Sequence, residues 1–335
     1  MRYFCTYFDS RYLSQGLALY DSLNEHCPEF KLWMLCLDSQ AHESLRALKL
    51  AKVDLINLEE FERGDDPLRE AKTNRSLLEY YFSCTPSLPL FILQNNPAID
   101  LITYLDADLF FFSRLETLFD EIANHSIAII AHRFPAAFRK AERHGIFNVG
   151  WVTFRRDENG ISCLQRWREQ CLRWCSDQSD DGRFADQKYL DDWPTQFQNV
   201  VVLQHKGANV APWNLANYRI SVRGGNIYVD DEPLIFFHFH GLRPLNGYLY
   251  STQFQHYGVT ASTPIVRQIY APYIRKIATV AKELRRESYA SEPVPFLRKS
   301  ENDRDSNLSF TARSLSTLKH LLKRHYFVVV NGRIF

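Results

Sequence analysis

One stretch constrains this chain more than any other: Leu101-Ile102-Thr103-Tyr104-Leu105-Asp106-Ala107-Asp108-Leu109-Phe110-Phe111-Phe112. Apolar residues run up to one carboxylate and three phenylalanines follow the second, the pattern of a buried strand bounded by polar residues. In extended backbone, residues two apart point the same way, so Asp106 and Asp108 face one common point. Two acids held together at the end of a buried strand repel each other unless a cation sits between them. A hard divalent cation is the natural occupant, and Mg²⁺ or Mn²⁺ leaves coordination positions open for phosphate oxygens. The ordinary alternative is a strand that ends in a solvated loop with two incidental acids.

At 335 residues the chain is long enough for one large core or two modest ones. Its formal net charge of +1 argues against a general nucleic-acid binder. That balance hides an asymmetry: from Arg267 onward 14 Lys and Arg face 6 Asp and Glu, a surplus of 8 that leaves the earlier part at −7. No apolar run approaches the roughly 18 residues needed to span a bilayer. The start, Met1-Arg2-Tyr3-Phe4-Cys5-Thr6-Tyr7-Phe8-Asp9, reaches charge too soon for a secretory signal. The seven cysteines are scattered without a C-x-x-C pair. Cys171 and Cys175 lie one helical turn apart but lack the two further ligands of a zinc site, so reduced thiols in a cytosolic protein are expected.

Strands at 2–8, 31–37 and 53–58 alternate with helices at 12–25 and from a Ser39 cap to Leu50, which predicts a mostly parallel sheet with helices on its faces. Ligands of such sheets bind at the carboxyl ends of the strands. Asp9, Asp38 and the Asp106/Asp108 pair all fall at such ends. Glu70 to Gln94 reads as helix interrupted at Pro86 and Pro89, with Lys72 and Arg75 on one face. A solvated face is the commoner role for such a pair, although cations ahead of the acidic strand would suit an anion. A helix at 115–123 and a strand at 127–131 follow.

Three phrases in the middle section are less ordinary: Phe147-Asn148-Val149-Gly150-Trp151, Asp186-Gln187-Lys188-Tyr189, and the amide-rich loop Gly207-Ala208-Asn209-Val210-Ala211-Pro212-Trp213-Asn214. A strand then carries His238 and His240 on one face, ending at Gly241 and Arg243. Imidazole completes an oxygen-rich Mn²⁺ site, and a nearby Arg neutralises phosphate. Residues 264–287 read as a basic helix, 289–310 as a polar linker, and 311–326 as an amphipathic helix that docks on the domain or lies on an anionic membrane surface.

Five segments, in order, carry a family resemblance: Thr6-Tyr7-Phe8-Asp9 through Gly16; Tyr104-Leu105-Asp106-Ala107-Asp108; Phe147-Asn148-Val149-Gly150; Asp186-Gln187; and His238-Phe239-His240-Gly241 with Arg243-Pro244. Over residues 1–245 the chain resembles nucleotide-sugar-dependent glycosyltransferases of the GT-A fold. It looks most like glycosyltransferase family 8, which includes glycogenin and bacterial lipooligosaccharide α-galactosyltransferases. The resemblance implies an α/β fold with a Rossmann-like mixed, mostly parallel sheet and flanking helices. It implies a catalytic domain at 1–262 and a basic helical C-terminal extension at 263–335. Mn²⁺ (or Mg²⁺) would be held by Asp106, Asp108 and His238. Thr6, Tyr7, Asp9, Arg75, Asp106 and Arg243 would contact the nucleotide-sugar donor, with Arg243 standing one position early for the family's Lys. Asn148, Asp186 and Gln187 would line the transferred sugar and the reacting face.

The implied reaction moves a hexose from a UDP-sugar to a glycan or lipid-linked acceptor, with retention, in bacterial surface polysaccharide synthesis. The implied setting is the cytoplasm, with the extension touching an anionic membrane peripherally. Rival readings each lack a feature. A sugar-phosphate nucleotidylyltransferase needs a Gly-rich phosphate loop after its first strand, where residues 8–16 hold only Gly16. An aspartyl-phosphate phosphatase keeps its paired acids near the N-terminus. A non-catalytic nucleotide- or carbohydrate-binding module would bind UDP without cleaving a donor.

Overall fold

The computed structural model describes residues 1–180, 182–245, 249–286, 320–321, 323–330 and 333–334. Strands β1 (Arg2–Phe8), β2 (Phe30–Cys36) and β3 (Val53–Asn57) alternate with helices α1 (Leu13–His26) and α2 (Ser39–Leu48). Asp38, one residue before the expected Ser39, caps α2 by accepting from the Ala41 amide at 2.7 Å. Helices α3 (Leu58–Glu62), α4 (Asp66–Asn74) and α5 (Leu77–Asn95) follow. The expected interruption at Pro86 and Pro89 does not occur, because both prolines are buried inside a continuous α5. The chain breaks instead at Arg75–Ser76. There Ser76 and Glu79 satisfy each other's amides in a capping box, which releases the helix N-terminus from the preceding turn.

Next come β4 (Leu101–Leu105), β5 (Leu109–Phe111), α6 (Glu116–Ile122), β6 (Ile127–Ala131), β7 (Phe147–Arg155), α7 (Glu158–Arg173), α8 (Trp193–Gln196) and β8 (Val200–Leu203). The central sheet has the order β3-β2-β1-β4-β7-β6-β8. Every pair is parallel except those of β7, which runs against β4 and β6. This is the mixed, mostly parallel sheet with flanking helices that the sequence leads one to expect. Reversal of β7 has a geometric result. Its first residues, Phe147 and Asn148, lie at the same rim as the carboxyl ends of β1, β2, β4 and β6. Asp9, Asp38, Asp106, His132 and Asn148 therefore share one edge of the sheet.

Alternation along the strands sorts the core into two layers. Phe4, Phe8, Met34, Trp151 and Phe236 pack on the α1 side, and Cys5, Leu35, Ile102, Val152 and Trp167 on the side of α5 and α7. Trp151 anchors the first layer, stacked 5.6 Å from Phe236 and edge-on to Phe4, Phe111 and Phe119.

A small antiparallel sheet, β9 (Ile220–Arg223), β10 (Asn226–Val229) and β11 (Glu232–Pro233), leads to β12 (Phe236–His238), which pairs antiparallel with β5. Beyond it lie β13 (Arg243–Pro244), β14 (Leu249–Ser251), a wide helical turn at Ile265–Tyr270, and α9 (Ala271–Arg286). α9 packs on α1, where Lys276 Nζ meets Asp21 at 2.6 Å and Val280 and Leu284 enter the α1-side core. Tyr273 stacks 3.7 Å from Phe239, just after β12.

Tyr326, expected to close an amphipathic helix, instead opens β15 (Tyr326–Val330), which pairs with β14 and with β16 (Arg333–Ile334). Phe327 and Val329 alternate inward, a period that suits a strand and defeats a helix. The expected linker at 289–310 and most of the helix expected at 311–326 lie outside the described residues. Among the described residues no helix is long and apolar enough to cross a membrane.

Tyr273→Ala tests whether α9 belongs to the main folding unit. Large aromatic-to-alanine changes in cores cost about 3–5 kcal/mol, so the urea midpoint followed by tryptophan fluorescence should fall within a single transition. An unchanged midpoint would mean that 271–286 folds apart from the sheet.

Candidate active site

At the end of β4 the chain turns sharply through Asp106 and Asp108 into β5. The Asp106 amide donates to Gly150 O at 3.1 Å and the Leu109 amide to Asp106 O at 3.3 Å, so the turn is stitched to β7 and to itself. β5 then pairs with β12, with Leu109 opposite His238. That register brings His238 Nε2 to 3.1 Å from Asp108 Oδ1 and 3.6 Å from Asp106 Oδ2. One ligand atom of each residue lies within 4.8 Å of the others. The His238 side chain is 3% exposed, Asp108 18% and Asp106 31%, so the cluster has a buried base and an open mouth. His240, expected on the same face as His238, is exposed and sits edge-on to Trp213 at 5.5 Å, outside this set.

The electrostatics of the three groups are those of a site short of positive charge. Burial raises Asp106 above the ordinary carboxylate range, Asp108 adds to the rise, and His238 opposes it. For Asp108, burial is outweighed by the charge and hydrogen bond of His238, and its carboxyl is held low. His238 is in turn raised, because the two carboxylates outweigh its burial. Two carboxylates and one imidazole form a donor set suited to Mn²⁺ or Mg²⁺. The second ring nitrogen of His238 is already engaged: Nδ1 lies 3.2 Å from Asn148 Oδ1. Nε2 is thus the atom presented to the acids, and the three residues fit a divalent cation.

Asn148, expected to line a sugar, stands behind His238. It is buried, its Oδ1 also accepts from the Gly150 amide at 3.1 Å, and its Nδ2 faces His132 Nε2 at 3.3 Å. The neighbouring glycine has a steric reason. A Cβ on Gly150 would lie 2.7 Å from Asn148 Oδ1 and 2.9 Å from His238 Nδ1, closer than van der Waals contact allows.

The other expected residues separate into those near the rim cluster and those committed elsewhere. Asp186 is buried, and its carboxyl is pushed up to about 7 by burial first and by the charge of Asp106 among other causes, against a hydrogen bond from Thr85. Thr85 also bonds Tyr7 Oη at 3.0 Å, and Tyr104 Oη donates to Asp106 at 2.9 Å. Tyr7 lies 5.7 Å from Tyr104 and 6.4 Å from Tyr81, which makes a wall of three tyrosines. Gln187 donates to His144 O at 2.8 Å and so ties its loop to the segment before β7. Asp9 caps the turn after β1, forks with the Arg11 guanidinium and accepts from Tyr81 at 3.3 Å.

Thr6 does not reach the rim. It faces the α1-side core between Phe4 and Phe8, fully buried. Arg75 is not poised for an anion either: its guanidinium donates to Ser83 Oγ and to the Cys171 and Leu172 carbonyls, where it ties α5 to the end of α7. Arg243 lies in β13, beside His256. Three residues that the sequence did not single out, Arg11, Tyr81 and His132, belong to this neighbourhood. Arg11 was legible from its place two residues after Asp9, and His132 from following a strand of the parallel set. Tyr81 had no local signal.

No family model matches the chain. The protein YfnD of Bacillus subtilis (strain 168) is 31% identical over 275 residues, which cover 81% of this chain and 87% of YfnD. The chain belongs to the YfnD family. YfnF of the same organism, also 31% identical over 248 residues, covers 72% of this chain and 81% of its own length. Both relatives are uncharacterized proteins. Glycosyltransferases are among the solved structures with a similar architecture. They include LgtC, a galactosyltransferase solved with donor and acceptor sugar analogs (17% identity, TM-score 0.48, 71% of this chain and 87% of LgtC), and mouse xyloside xylosyltransferase 1 (15%, 0.48, 73% and 99%). GlyE of Streptococcus pneumoniae TIGR4 overlays with a TM-score of 0.49 at 16% identity, covering 88% of this chain and 66% of GlyE. In this member of the YfnD family the acidic strand end, the histidine of β12 and the asparagine of β7 meet at one point.

Two measurements follow from this geometry. Gly150→Ala should drive Asn148 and His238 apart and weaken Mn²⁺ binding by about tenfold or more, read by calorimetry, while the far-ultraviolet circular dichroism stays unchanged. Asp186 has a folded pKa near 7 against an ordinary value of 3.8. The native state therefore keeps a proton that the unfolded chain has lost, and stability falls as pH rises between about 4 and 7. Asp186→Asn should flatten that fall, measured by thermal melts in EDTA across the same window.

Proposed function

We propose that the chain is a metal-dependent glycosyltransferase that moves a hexose from a UDP-sugar to a glycan or lipid-linked acceptor, with retention, in surface polysaccharide synthesis. The observation that carries this reading is the Asp106–Asp108–His238 set at the carboxyl rim of the sheet, open on one side. A divalent cation held there supplies the charge that a diphosphate leaving group needs as its bond to the sugar weakens.

The remaining work falls to side chains. Tyr7 and Tyr81, both part-exposed and backed by the buried Tyr104 that bonds Asp106, offer flat apolar faces on which a nucleoside base stacks. Asp9 and Arg11, joined to Tyr81, close that side and give the base a charged edge to bond. Arg243 is the proposed diphosphate contact, since a guanidinium meets phosphate through two parallel hydrogen bonds. Arg75 has no part in it, being spent on backbone carbonyls. Asp186 is proposed beside the transferred sugar. A carboxyl poised near neutrality both donates to and accepts from sugar hydroxyls, and Gln187 holds the adjoining loop in place. The seven cysteines are all unpaired, as suits the reducing compartment where this reading places the enzyme.

A panel of UDP-, GDP- and CDP-sugars incubated with Mn²⁺, followed by nucleotide release, tests the proposal. Release should occur with a UDP-sugar and fall by about 10²-fold or more in Asp106→Ala, the scale on which removing one transition-state charge partner acts. Absence of turnover and hydrolysis with every donor, or full activity in Asp106→Ala, would overturn it. Tight UDP binding without cleavage would mark a binding module instead.

A further inference from the structure

We propose that His132 is a positioning residue for the metal ligand His238, acting through Asn148, and that the amide-rich loop 207–214 holds both histidines in that arrangement. The inference rests on the metal-site reading above. His132 follows β6 at the rim and is 5% exposed.

A chain of contacts links two backbone groups. Ile146 O lies 3.2 Å from His132 Nδ1, and His132 Nε2 lies 3.3 Å from Asn148 Nδ2. Asn148 Oδ1 then meets both the Gly150 amide at 3.1 Å and His238 Nδ1 at 3.2 Å.

Donor and acceptor roles along this chain are fixed from its ends. The Gly150 N–H only donates, so the Asn148 atom that it meets is the oxygen. His238 Nδ1 must then carry a proton and donate, so the nitrogen turned toward Asp106 and Asp108 is Nε2, which donates to Asp108 at 3.1 Å and would give up that proton to bind a cation. The other end agrees. Asn148 Nδ2 only donates, so His132 Nε2 accepts, and the His132 proton sits on Nδ1, facing the Ile146 carbonyl. With the other tautomer, or with a charged ring, an N–H of His132 would confront the Asn148 NH₂. The amide would then be driven to turn, bringing its NH₂ against the Gly150 and His238 donors. Burial keeps His132 neutral by pushing it down to about 3, so this orientation holds across physiological pH.

The loop supplies the clamp. The His132 carbonyl accepts from Trp213 Nε1 at 3.0 Å and from Asn214 Nδ2 at 2.9 Å. Trp213 meets the His132 and His238 rings edge-on, at 5.3 and 5.1 Å, and Phe134 stacks on His132 at 4.8 Å. The Val210 carbonyl accepts from the His238 amide at 2.8 Å. One loop therefore grips the ligand and the residue that orients it. Gly207 opens the loop where no side chain fits, since a Cβ would stand 1.9 Å from Pro233 O.

The test compares His132→Phe, which keeps the ring and its stacking but removes the acceptor, with His132→Gln, which keeps an acceptor and gives up the ring. Free Mn²⁺ is titrated into the full-length protein and counted by electron paramagnetic resonance, without turnover. The proposal expects binding weakened by about tenfold or more in His132→Phe and close to wild type in His132→Gln, the range typical of ligand-orienting partners. The reverse order, or wild-type affinity in His132→Phe, would overturn it. In the unaltered protein, ¹⁵N resonances should show His132 protonated on Nδ1 and bare on Nε2, and the opposite tautomer would also overturn it. If the wild type binds no Mn²⁺, the metal-site reading fails and takes this inference with it. If Asp106→Ala abolishes binding while His132→Phe retains it, only the role of His132 fails.

Discussion

The pairing of β5 with β12 is the contact on which the site depends. Three residues on each side join strands far apart in sequence, and the register decides which residue of β12 stands beside Asp108. A slip of one position would present Phe237 or Phe239 in place of His238 and turn a polar cluster into an apolar one. The register is held by burial on both sides of the ribbon. Phe236 and Phe111 pack against Trp151 in one core layer, and Phe237 belongs to another cluster with Tyr270. The geometry of the candidate metal ligands is in this sense a by-product of hydrophobic packing, with aromatic side chains fixing where the imidazole goes.

The charge arrangement is consistent with that order of causes. Two carboxylates at the end of a buried strand raise the energy of the folded chain, and a single buried histidine offsets part of it. The hydrogen bonds behind the histidine run away from the acids toward backbone groups and are satisfied without solvent. A site assembled this way has its orientation set before any ligand arrives, which lowers the ordering cost of binding.

Much of this was legible in the sequence. Asp106 and Asp108 could be read because strand alternation is local, and an apolar run that ends in acids needs no tertiary information. His238 was found through its motif. The break at Ser76 was also written plainly, as a serine followed three residues later by glutamate, although the prolines at 86 and 89 were the louder signal. What sequence could not carry was direction and commitment. Asn148 sits in a recognisable phrase, but only the reversed β7 decides that its amide meets His238 and His132. Arg75 has the charge and the placement of an anion contact. Its use was settled by the carbonyls at the end of α7, almost a hundred residues away, which needed donors. Thr6 illustrates the same limit, since the phase of one strand put it in the core while Tyr7 beside it turns to Thr85, Tyr81 and Tyr104.

The stacking of Tyr273 on Phe239 bears on where this protein ends as a folding unit. Phe239 follows His238 directly, and its other aromatic neighbours, Phe237 and Tyr270, belong to the same cluster as Phe254 and Phe327. The strand that carries the candidate histidine ligand is therefore roofed by chain that comes after the last motif residue. A polypeptide stopped at residue 262 would keep every candidate ligand and lose the aromatic lid over the strand that aligns one of them. The candidate ligands and the chain that packs over them therefore have different extents, and the second reaches past residue 262.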